Sequence, residues 1–264
     1  MSHLVTVSMD ENVADVRLNR AEKYNALSPE MFAAIAEAGE SLMNEKSVRA
    51  VVLSGEGRGF CAGLDFEMFR AMESRPQDPL EPGRRKAPND FQLAAYIWKQ
   101  LPVPVIAAVH GVAFGGGLQI ALGADIRLAS PDTRFSVMEI KWGLIPDMAL
   151  TQTLRVLVPL DVAKELTFTG RIVGAEEAQR LGLVTRVCED PRGEALKLAG
   201  EIASKSPDAI RAGKKLLENT WHAGAEQGLL LEERLQVSLF GTANQVEAVT
   251  ANLENRPPVF KDPE

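Results

Sequence analysis

The chain has 264 residues, 45% of them hydrophobic and 25% charged, enough to bury one large core with or without a smaller appendage. Its formal net charge of −7 sets it against a nucleic-acid binder with a basic face. Two cysteines, Cys61 and Cys188, make no disulfide framework. Together with an N-terminal stretch that lacks a basic segment followed by an apolar run, they lead us to expect a cytoplasmic protein.

In chain order, residues 4–8 and 13–18 alternate apolar and polar side chains and predict two strands. Ser28 and Pro29 suit the cap and first position of a helix reaching about Asn44, with Met31, Ile35, Ala38 and Leu42 along its apolar stripe. Residues 49–54 predict a strand around Val51, Val52 and Leu53, and 65–72 a short helix after a glycine-rich turn. Residues 73–89 hold four prolines and four Lys or Arg residues; the composition predicts a mobile loop, placed to cover the ligand pocket and to order on binding. A helix at 91–101 follows, then strands at 104–109 and 125–129 on either side of a helix beginning at 116–122. The stretch 103–124 is nearly all apolar, but its proline and five glycines break any spanning helix, so no membrane segment is expected. Helices at 150–158, 161–168 and 175–181 lead to a strand at 183–187. From Pro191 the pattern is all helix, at 194–205, 207–220, 223–239 and 242–253. The chain thus divides into an α/β part, 1–190, and a helical region, 191–264.

Gly55, Gly57 and Gly59 invite a dinucleotide-binding reading, but Phe60 stands where the third glycine belongs. No phosphate-loop lysine motif or nucleophile elbow is present, and His3, His110 and His222 have no metal-ligand spacing, so no metal or separate cofactor is expected. Two turns stand out instead. Phe60-Cys61-Ala62-Gly63-Leu64-Asp65 and Gly115-Gly116-Gly117 each pass from a predicted strand to a predicted helix. Both turns expose backbone N–H groups, and two aimed at one oxygen make an oxyanion hole.

These two segments resemble the paired signatures of the crotonase (enoyl-CoA hydratase/isomerase) superfamily, the second extending over 105–118. Leu18-Asn19-Arg20 with Asn25-Ala26-Leu27, and the segment 175–187, resemble the family's opening and closing portions. The resemblance runs the length of the chain in order. It implies a spiral of ββα units with a C-terminal helical region, assembled as a homotrimer or a dimer of trimers. It implies an acyl-CoA thioester as substrate, whose carbonyl oxygen the N–H groups of Leu64 and Gly116 would hold. Lys23, Ala26, Ala62, Gly63, Asp65 and Gly115 fall where the family contacts CoA or substrate. Phe260 and Lys261 resemble a tail that reaches a neighbouring subunit's CoA.

The family's hydratases use two glutamates. Here the first position is Gln119, a departure, and the second is Glu139, a match; Asp147 lies eight residues on, as in dienoyl-CoA isomerases. Gln119 cannot ionise but can orient a water or a carboxylate. Glu139 with Asp147 would form an acid–base pair, one pKa raised by the other's charge, fit for moving protons at C2–C3. Hydration, dienoyl-CoA isomerisation specifically, another reaction of the superfamily, and a non-catalytic acyl-CoA- or RNA-binding member are the alternatives. Cys61 reads as a packed side chain.

Overall fold

The computed structural model describes residues 3–72 and 87–263, so most of the proline-rich segment, 73–86, lies outside the described residues. Its C-terminal end is not loop: Asn89 caps the next helix, with its side chain and that of Gln92 exchanging bonds to each other's backbone N–H.

Strands β1 (Val5–Asp10) and β2 (Val13–Leu18) form a hairpin. Its turn places Glu11 and Asn12 at φ 42° and 69°. Helix α1 (Pro29–Met43), capped by Ser28, leads to β3 (Ala50–Gly55), α2 (Phe66–Met72) and α3 (Asp90–Gln100). The apolar stretch at 103–124 becomes β4 (Val105–Val109), β5 (Val112–Phe114) and α4 (Gly116–Leu122), too broken to be a membrane span. Next come β6 (Ile126–Ala129), β7 (Arg134–Ser136), a 3-10 turn (Glu139–Trp142), α5 (Leu150–Thr153), α6 (Leu160–Thr169), β8 (Val173–Gly174), α7 (Ala175–Leu181) and β9 (Arg186–Val187). Helices α8 (Pro191–Ala203), α9 (Pro207–Thr220), α10 (Ala225–Leu239) and α11 (Ala243–Leu253) complete the chain.

The main sheet runs β1-β2-β3-β4-β6-β9, parallel after the first hairpin. A second sheet runs β5-β7-β8, and a bridge from Cys61 to Ala113 extends it. Each circuit therefore lays one strand in the main sheet, one in the second layer, then a helical turn: β4-β5-α4, then β6-β7 and the 3-10 turn. That is the expected spiral of ββα units.

The main sheet is covered on both sides, which is why β3 and β4 read as unbroken apolar runs. Val51, Leu53, Val105 and Ala107 face α1, α3 and α4, while Val52, Ile106, Ala108 and Leu128 face Ala195, Ala199 and Ala203 of α8. On β2, Asp15 is buried and holds Arg192 of α8 at 2.5 Å and Arg17 at 3.2 Å. The second sheet was not visible in the sequence, because strands of two or three residues carry no periodicity. The helix expected at 150–158 breaks into α5 and a 3-10 turn, and the strand expected at 183–187 pairs only at its last two residues.

Candidate active site

Three turns converge on a cavity of about 940 Å³. The first follows β3. Asn25, fully buried at φ 56°, sets its Nδ2 within 3.0 Å of the carbonyls of Glu56, Gly59 and Phe60 and so fixes this loop. Leu27 N–H donates to the Gly63 carbonyl at 2.8 Å, and Asp65 N–H donates to the Leu27 carbonyl at 3.0 Å. These bonds flank Leu64, whose own N–H has no acceptor among the described residues. Gly63 sits at φ +89°, and a Cβ there would lie 2.6 Å from the Phe114 carbonyl and 3.7 Å from the Gly116 nitrogen. The absence of that side chain lets the Leu64 turn lie against the second turn.

The second turn joins β5 to α4. Gly115 N–H donates to the Ser136 carbonyl at 2.9 Å, leaving the N–H of Gly116, the first helical position, without a partner among the described residues. A side chain at Gly117 would strike the Cys61 carbonyl at 2.3 Å, so the two turns pack backbone on backbone.

The third is the 3-10 turn and the segment after it. Gln119, 1% exposed, donates from Nε2 to Glu139 Oε1 at 2.7 Å and accepts at Oε1 from the N–H groups of Met148 (2.8 Å) and Leu150 (3.2 Å). It binds the Glu139 carboxylate to the chain that carries Asp147, and is not itself on the cavity wall. Glu139 Oε1 lies 3.4 Å from the place a Gly115 Cβ would occupy, and Oε2 is buried with no hydrogen-bond partner among the described residues. Burial pushes the Glu139 carboxyl above the usual range; the N–H bonds at its own backbone and Gln119 oppose this, and the Asp147 charge adds to it. Asp147 is more open to solvent, yet crowding by the surrounding protein raises its carboxyl too, its own backbone N–H opposing. Removal from water is the main cause of both shifts, as the apolar neighbours Met148 and Leu150 lead us to expect for Asp147; the repulsion expected of a like-charge pair is the smaller effect at Glu139.

Lys23, Ala26, Ala62, Gly63, Leu64, Asp65, Gly115, Gly116, Glu139 and Asp147 all line this cavity. Sequence reasoning missed its apolar wall, where Phe66 and Trp142 meet edge to face at 5.7 Å. It also missed the Asp65 carboxylate's engagement: burial would raise it, but the Glu67 N–H and Arg20, at 2.6 Å, hold it below the usual range. Asp65 therefore offers the cavity backbone rather than charge. Phe260 and Lys261 lie elsewhere in this chain. The Phe260 carbonyl accepts from Arg49 at 3.0 Å, and the Lys261 backbone N–H donates to Asn244 Oδ1 while its carbonyl accepts from Asn244 Nδ2. Cys61 is buried, donates to the Asn25 carbonyl, and has its thiol pushed up to about 12 by burial, as befits a packed side chain. Among the described residues no cluster of three or more His, Cys, Asp or Glu could hold a metal, and no helix is long and apolar enough to cross a membrane.

A ββα spiral whose two backbone turns present adjacent N–H groups beside a carboxylate is the architecture of the crotonase class. Residues 8–263 match the family model for enoyl-CoA hydratase/isomerase. The chain is 34% identical to the mitochondrial methylglutaconyl-CoA hydratase of Mus musculus, over 92% of this chain and 78% of that one. It is 33% identical to the short-chain-enoyl-CoA hydratase of Clostridium acetobutylicum, over 96% and 95% of the two chains. The crystal structure of an enoyl-CoA hydratase from Mycobacterium smegmatis superposes with a TM-score of 0.84 at 33% identity, covering 97% of this chain and 98% of that one. The chain belongs to the enoyl-CoA hydratase/isomerase family of acyl-CoA-processing enzymes.

Proposed function

We propose that this enzyme moves a proton along the acyl chain of an unsaturated acyl-CoA, with Glu139 and Asp147 as its two proton-transfer groups. The thioester oxygen accepts from the N–H groups of Leu64 and Gly116. Glu139, beside Gly115, takes the proton from C2; the electron pair passes into the conjugated system and onto that oxygen as an enolate, which the two donors stabilise. Asp147 delivers a proton to the distal carbon as the double bond shifts, and its openness to solvent lets it exchange protons between turnovers. Lys23, Ala26 and the backbone of Ala62, Gly63 and Asp65 take the CoA arm, with no separate cofactor. In an assembled homotrimer or dimer of trimers, Phe260 and Lys261 reach a neighbour's CoA.

The observation that carries this reading is the engagement of Gln119. Both ends of its amide are bound inside the protein, which leaves Glu139 and Asp147 as the carboxylates around the Gly115–Gly116 turn. Hydration is the second reading, favoured by the names of the related hydratases: the free Oε2 of Glu139 would then activate a water. The test is incubation with 2-enoyl-, 3-enoyl- and 3,5-dienoyl-CoA in D₂O, read by mass. Isomerisation exchanges hydrogen without adding water. Glu139→Gln abolishes it, and Asp147→Asn removes isomerisation while acyl-CoA binding stays near normal. A fully active Asp147→Asn would make the enzyme a hydratase working through Glu139.

A further inference from the structure

A second cavity, of about 520 Å³, lies between α9 and the end of the main sheet and shares no lining residue with the first. The size is that of a small-molecule pocket, about 300–1,000 Å³. Its walls are mostly apolar, with Leu122 of α4, Val156 and Ile210 among them. At its floor is Arg127, 4% exposed, which donates from Nε to the Leu183 carbonyl at 2.8 Å and from Nη1 to the Ala124 carbonyl at 2.6 Å. No carboxylate bonds this guanidinium among the described residues. The nearby Asp125 is taken by Lys214 at 2.7 Å, and Lys99 pairs with Glu218 at the rim. Three cations against two anions leave the lining one positive charge in excess, at the most buried of the three. Burial pulls the Arg127 pKa down to about 10, the mark of a charge short of compensation.

One more feature keeps the cavity open. Gly213 lies mid-helix in α9, where a glycine costs about 1 kcal/mol relative to alanine. A Cβ there would meet nothing within 4 Å. No packing constraint in the chain calls for glycine, and its missing side chain is part of the cavity's space.

We infer that this cavity binds an amphiphilic carboxylate, a fatty-acid-like anion whose head pairs with Arg127 and whose tail lies along α9. The experiment is calorimetric titration of the intact protein with octanoate, and with octan-1-ol as a headless control, in saturating CoA to occupy the first cavity. Octanoate binds at least tenfold more tightly than octanol. Gly213→Leu, whose Cβ meets nothing within 4 Å and whose side chain takes up the cavity's space, weakens octanoate binding at least tenfold, as does Arg127→Gln. Should Arg127→Gln fail to fold, Gly213→Leu decides. The inference falls if octanoate does not bind, if octanol binds equally well, or if Gly213→Leu binds octanoate as the wild type does. It falls likewise if Gly213→Leu changes the oligomeric mass, which would make the cavity a seat for a second copy of the chain.

Discussion

Gln119 and Asp147 act on the Glu139 carboxyl with opposite sign, and this makes their roles separable. The Gln119 amide favours the ionised form of Glu139; the Asp147 charge disfavours it. If Glu139 is the base, activity is lost as pH falls through its raised pKa, so the acidic limb of kcat/KM lies above the usual glutamate range. Gln119→Leu removes the stabilising donor and moves that limb to higher pH; Asp147→Asn, which has lost isomerisation, moves the Glu139 pKa lower. Gln119→Leu also frees the carboxylate to wander and lowers kcat by about 10²-fold. A pH–rate profile of Gln119→Leu and a spectroscopic titration of the Glu139 carboxyl in Asp147→Asn check the signs, and a limb that does not move would leave Gln119 a purely structural strut. The oxyanion hole is tested at Gly116. Proline there deletes the N–H at a helical position that tolerates it, and costs about 10²–10³ in kcat. Alanine keeps the N–H, and the atoms nearest its Cβ are the side-chain ends of Leu27 and Met148, at 2.8 Å, which shift by a few tenths of an ångström to admit it. Gly116→Ala therefore retains most activity, and equal losses in the two variants would refute a backbone role. The two carboxylates of the proposed proton transfer, Glu139 and Asp147, were legible in the sequence. That Gln119 could orient a carboxylate was legible too; that its other end is held by Met148 and Leu150, 29 and 31 residues away, was not.

Between elements, α1 packs closely on α3. Gly39 of α1 sits where a Cβ would lie 2.4 Å from Cγ1 of Ile97, itself 2% exposed and unable to move aside. Overpacking of this kind costs about 1–3 kcal/mol, against a helix-propensity gain of about 1 kcal/mol for alanine over glycine. Gly39→Ala therefore destabilises by up to about 2 kcal/mol. Urea unfolding reads this as a lower midpoint, and a raised midpoint would show that the helices can part. Although α8 starts at Pro191, ahead of the 194 expected, helix starts were readable at Ser28 and Ser206, where a cap and proline announce them, because capping is local chemistry. The 3-10 turn carrying Glu139 was not, because it is fixed by its seat against α6 and the second sheet.

Across the whole molecule, α10 stands out: none of its fifteen residues is buried within the chain, while Leu229, Leu230 and Val237 are each more than half exposed. An amphipathic helix in that state needs a partner, and the assembly expected from the family resemblance supplies one. Light scattering is expected to give three or six times the 28.7 kDa chain mass, and Leu229→Glu to lower it. A wild-type monomer would remove the assembly. The sequence by itself determined the α/β core with its helical end, the two backbone turns and the family, because apolar runs, caps and glycine turns are written within a few residues of one another. Only the tertiary structure decided how closely the Leu64 and Gly116 turns pack, that Gln119 holds Glu139 rather than facing the cavity, and that Asp65 is occupied by Arg20. Each is a contact between segments 20 to 52 residues apart, brought together by sheet pairing and close backbone packing that no local pattern records.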